Sequence, residues 1–110
     1  MRVEIRAIDR SVMDELIPGY SSEHKRASEQ DGIRIGLLDE PRRGAFGVAE
    51  IIKLSIDFGA SVSAAVVSQW LYDKIKGRSI SVTIDKMEVD VSEDAIRKAV
   101  EKCLDDKSRK

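Results

Sequence analysis

Residues 44–77 read GAFGVAEIIKLSIDFGASVSAAVVSQWLYDKIKG, and the fold turns on how this stretch is read. It has no proline, is rich in Ala, Ile, Val and Leu, and carries no charge from Phe58 to Tyr72. These properties predict the buried helix of a small domain, with Gly44 and Gly47 at its start and Gly77 where a left-handed residue commonly ends a helix. Gly59 interrupts it at a cost of about 1 kcal/mol relative to Ala, which leaves a bend or break there and one straight rod as equal alternatives. Trp70, with Val66 one turn before it, is expected in the core.

Downstream of Gly77, Ile80, Val82 and Ile84 alternate with polar residues, and Met87, Val89 and Val91 alternate in the opposite phase. A single strand would send the two apolar sets to opposite faces. A hairpin turning at Asp85-Lys86 sets Ile84 beside Met87, Val82 beside Val89 and Ile80 beside Val91, all on one face. The turn lacks the usual Gly, which allows a loop wider by a residue or two. Ser92 is then an N-cap, Glu93 and Asp94 oppose the helix dipole, and Ile96, Ala99, Val100, Cys103 and Leu104 recur at helical spacing. The tail from residue 105 to 110 has no apolar anchor and is expected to fray.

Upstream, Val3, Ile5 and Ala7 alternate with charged residues and predict a strand. Val12, Met13, Leu16 and Ile17 can form one or two helical turns after Ser11, until Pro18-Gly19 stops them. Ser21 to Asp31 is polar throughout, a solvated helix or a mobile connection. Ile33, Ile35 and Leu37 give a second strand, closed by Asp39-Glu40-Pro41. The sum is a single α+β domain over residues 1–110. It has a four-stranded, mainly antiparallel sheet with two main helices packed on one face, in the order β-β-α-β-β-α.

Composition bounds the function. The chain has 110 residues, 42% hydrophobic and 35% charged, the balance of one globular domain with a modest core. Nineteen basic residues against 20 acidic ones leave a net charge of -1, without the basic excess that nucleic-acid binding needs. With 5% aromatics there is no stacking platform for bases. The uncharged run is shorter than the roughly 20 apolar residues that span a bilayer. A lone cysteine and an N-terminus without signal-peptide character make the cytoplasm the expected location.

The chemistry-bearing residues are sparse. His24 and Cys103 are the only residues of their types, so a thiol protease or the usual zinc site lacks parts. Cys103 falls on the apolar stripe of the last helix and reads as core; His24 lies in the polar segment and reads as exposed. Asp57, Asp73, Asp85, Glu88 and Asp90 fall at strand edges, turns and helix ends, where solvated acids belong. No catalytic residue, metal site or cofactor site is assigned. The segment from Asp39 to Gly47 has the general form of an anion-binding turn but matches no phosphate-loop pattern. Its Arg42, Arg43 and Phe46, a basic pair beside an aromatic in a loop, are the candidate partner-binding residues, the competing reading being a packed Phe46 and solvated arginines.

The run from Ile33 to Asp85 resembles the small bacterial domain called the effector-associated constant component, type one. The features are Pro41 after a strand, Gly44 to Gly47, the small residues from Gly59 to Ala65, Trp70-Leu71, the basic stretch from Lys74 to Arg78 and the strand from Ser79 to Ile84. The resemblance implies a non-enzymatic protein-interaction module that couples sensing to an effector, such as a peptidase encoded nearby, in a bacterial conflict or defence system. Two other expectations compete with it: an immunity-type inhibitor of a toxin, whose sign would be an acidic patch, and a small enzyme or ligand-binding domain using the Arg42-Arg43-Gly44 loop.

Overall fold

Glu50–Phe58 is a strand, β5, the longest among the described residues, and it lies inside the sheet. The computed structural model describes residues 1–7, 11–39, 42–43, 50–59 and 62–108. Along β5 the side chains of Ile52, Leu54 and Ile56 are buried, while Lys53 and Asp57 are exposed, the two-residue period of a half-buried strand. The expected helix therefore covers only the second half of its stretch. Three isoleucines in seven residues, stiff at their branched Cβ, favour the pleated surface over helix.

The other strands are β1 (Arg2–Ala7), β2 (Ala27–Gln30), β3 (Ile33–Leu37), β4 (Arg42–Arg43), β6 (Ser79–Ile84) and β7 (Met87–Val89). They form one sheet in the order β2-β3-β5-β1-β6-β7, with the two-residue β4 also paired to β5, and every pairing is antiparallel. The expected four-stranded sheet is thus too small: β2 and β5 were hidden in a polar segment and in a helix reading. β2 contains no large apolar residue, and its pairing rests on the Asp31-Gly32 turn to β3, whose φ values of 53° and 82° suit a tight two-residue hairpin.

The helices are the two main ones, α3 (Ala64–Ile75) and α4 (Glu93–Ser108), the short α1 (Val12–Leu16) expected before Pro18-Gly19, and a four-residue α2 (Tyr20–Glu23) that was not expected. One face of the sheet is buried beneath them. Register places Val3 beside Leu54 and Ile84, Ile5 beside Ile52 and Val82, and Ile35 beside Ile56, all buried. The opposite face carries Arg2, Arg6, Arg34, Lys53 and Asp57, all exposed.

In α3 the Ser63 hydroxyl accepts the Val66 N–H at 3.3 Å, and Val67, Leu71 and Ile75 face the core. Ser68, also buried, donates to the Ala64 carbonyl at 2.6 Å, so its hydroxyl is satisfied within the helix. Gly77 follows the helix with φ 74°, as its position in the sequence predicts. The β6–β7 hairpin turns at Asp85 and Lys86 with φ 47° and 71°, and pairs Ile84 with Met87 and Val82 with Val89. The expected register holds, with no widening of the turn; Val91 lies past the end of β7. Ser92 caps α4 by accepting the Ala95 N–H at 3.2 Å. The helix continues through Ser108, further than the fraying expected from residue 105.

α1 is held at two points. Glu15 lies 3.8 Å from Lys74 and 3.6 Å from Arg78, joining it to the end of α3. Asp14 accepts the Ser21 N–H at 2.9 Å and the Ser21 hydroxyl at 2.7 Å, bridging α1 to α2 across Pro18-Gly19. The Ser21 hydroxyl, and secondarily its backbone N–H, hold the Asp14 carboxyl below its ordinary value of 3.8. A carboxyl with a depressed folded pKa contributes stability above its unfolded pKa and loses it as pH falls through the folded one. In acid titrations monitored by circular dichroism, Asp14→Asn should therefore cost stability at neutral pH. It should cost progressively less below about pH 4; an equal loss at every pH would remove Asp14 from the acid response.

Candidate functional site

Arg42 and Arg43 form the backbone of β4, paired with Ile51 and Glu50 of β5. The arginine pair is therefore anchored to the edge of the central strand. Gly44, Phe46 and Gly47 lie outside the described residues.

A second surface was not singled out in the sequence. α3 buries Val67, Leu71 and Ile75, which turns Val66 and Trp70 onto its flank. Val66 is 51% exposed and Trp70 half-buried, so Val66 is not the core residue expected of it. The two side chains, with Ala65, line a shallow groove floored by Ile33 and rimmed by Asp31, Gln69 and Asp73. The rim is ordered by local bonds. Gln69 Nε2 donates to Asp73 Oδ1 at 2.9 Å, Lys76 Nζ lies 3.5 Å from the same oxygen, and Lys74 Nζ sits 6.0 Å from the Trp70 ring centroid. Val62, entering α3, packs on the β2–β3 turn: a Cβ on Gly32 would come within 3.1 Å of its methyl. Groove and turn are thus one unit. The signal was available in the sequence, since Val67, Leu71 and Ile75 recur every four residues and compete with Val66 and Trp70 for the buried stripe.

Cys103 is buried, as expected, and its Sγ donates to Asp85 Oδ2 at 2.9 Å. Asp85 Oδ1 accepts the Arg2 N–H at 2.8 Å, and the Asp85 N–H donates to the Arg2 carbonyl at 2.9 Å. The hairpin turn, the first strand and the last helix meet at this carboxylate, which gives Asp85 a place in the architecture. Asp73 is occupied at the α3 rim, and Asp57, Glu88 and Asp90 are exposed, as is His24, whose φ of 57° ends α2. Among the described residues no group of three or more His, Cys, Asp or Glu side chains is placed to hold a metal ion. No helix among them is long and apolar enough to cross a membrane.

A further groove lies between β7 and α4, lined by Met87, Val89, Ala95 and Ala99 with Lys98 and Lys102 outside, and Glu88 and Asp90 along the strand. Comparisons of the chain with models of protein families, with curated proteins and with solved structures gave no match.

Proposed function

We propose that the chain is a non-enzymatic protein-interaction module, acting in the bacterial cytoplasm to couple sensing to an effector of a conflict or defence system. The observation that carries the interaction reading is the α3 groove. An exposed valine beside a half-buried tryptophan, over an apolar floor and within a polar rim of Asp31, Gln69 and Asp73, has the composition of a binding hot spot. Its partner is a protein segment that brings an apolar anchor flanked by lysine or arginine, the anchor seated between Val66 and Trp70 and the cation beside Asp31. The effector setting follows from the resemblance carried by Trp70-Leu71 and the residues around them.

The test is calorimetric titration of the purified chain with the protein encoded by the neighbouring gene. Val66→Asp should leave the fold intact and weaken binding by at least about 30-fold, the scale of a hot-spot loss. Arg42→Glu with Arg43→Glu probes the other candidate surface. Full-strength binding by the Val66 variant, with the loss falling on the arginine pair, would move the interface to β4.

A further inference from the structure

The two edges of the sheet are finished differently. β7 has three residues, with Lys86, Glu88 and Asp90 along it, and α4 packs beside it. β2 has four residues, all at least partly exposed, and its charges are sorted by sign: Lys25 and Arg26 before Ser28, Glu29 and Asp31 after it. A strand that is positive at one end and negative at the other complements itself when turned antiparallel, and opposes itself when parallel.

The backbone pattern selects the register. Leu37 donates to the Arg26 carbonyl at 2.8 Å, so Arg26 turns its polar groups toward β3. In an antiparallel ladder these directions alternate, so Ser28 and Gln30 also face β3 while Ala27 and Glu29 direct N–H and C=O outward. An open groove runs along this edge from Pro18 to Gln30.

We propose that a second copy of this chain docks on β2, forming a symmetric dimer with one sheet continuous through both copies. The two-fold axis passes beside Ser28, which faces Ser28 of the second copy. Ala27 then faces Glu29 of the second copy, exchanging both backbone hydrogen bonds, and Glu29 does the same with Ala27. In that register Lys25 lies opposite Asp31 of the second copy and diagonal to its Glu29. Arg26 lies opposite Gln30, and no like charges face each other directly. The Lys25–Glu23 pair at 3.3 Å is between exposed side chains and holds Lys25 only weakly against this exchange.

Sedimentation velocity over a concentration series decides the matter. The wild-type chain should show a reversible monomer–dimer equilibrium that weakens at 1 M salt, where the Debye length falls to about 3 Å. Ala27→Pro removes an outward N–H that β3 does not use, a placement proline tolerates on edge strands, and should give a folded monomer. Glu29→Lys sets lysine near Lys25 of the second copy, and because it acts twice across the axis should raise the dimer Kd roughly tenfold. A wild-type chain that stays monomeric at the highest concentration overturns the proposal, as does an Ala27→Pro chain that dimerises like wild type. Should the proline variant not fold, Glu29→Lys decides alone, and an unchanged Kd overturns the proposal.

Discussion

Leu54→Ala should destabilise the protein by about 2–5 kcal/mol in urea unfolding, while Lys53→Ala, one residue away, should change it by less than about 0.5 kcal/mol. Leu54 is fully buried between Val3 of β1 and Leu37 of β3, and the surrounding sheet cannot collapse onto the space its side chain leaves. Lys53 points from the other face into solvent. The alternation should continue along β5, large losses at Ile52→Ala and Ile56→Ala and a small one at Asp57→Ala. A helix over the same residues would give losses spaced three and four apart. Comparable effects at Leu54 and Lys53 would refute the strand.

Leu71→Ala should be the most damaging truncation on α3. Leu71 has no exposed surface and sits in the middle of the stripe that meets α4 and the sheet. A loss of about 2–5 kcal/mol translates into a fall of roughly 10–25 °C in Tm for a domain of this size. Val66→Asp should move Tm little: the side chain is half in solvent, and a carboxylate in the first turn opposes the helix dipole. If Val66→Asp melts the protein as readily as Leu71→Ala, the outer flank of α3 is core and the groove loses its role in partner binding.

The contrast between Leu54 and Leu71 explains what the sequence disclosed. Where apolar residues had one period and clean ends, the reading held: β1, β3, the Asp85-Lys86 hairpin with its register, and α4 from its Ser92 cap. Residues 50–77 joined two elements without proline or a charge cluster between them, and high apolar content outweighed the two-residue period of Ile52, Leu54 and Ile56. β2 was illegible for the opposite reason. Ala-Ser-Glu-Gln has no apolar face, and the strand exists because β3 offers it hydrogen bonds across a tight turn. Of the candidate site, Arg42 and Arg43 were found as residues, but the edge strand they form was not. The Val66–Trp70 flank was hidden by reading every apolar residue of α3 as core, when a helix buries only a stripe.

The place of β1 sets the order in which the molecule can assemble. Its neighbours are β5 and β6, so Val3 must find Leu54 on one side and Ile84 on the other. On the ribosome β1 emerges long before either, and during that interval Val3 and Ile5 have no sheet to join. The local elements can form early: α1 with α2 through Asp14, then the β2–β3 hairpin. The decisive event is a late one, when β5 and then the β6–β7 hairpin close around a strand made before them. Pairings of such sequence separation carry a large loop-closure cost before any contact repays it. Refolding should therefore be slow for a chain of this length, with its transition state built on the β5–β1–β6 triplet.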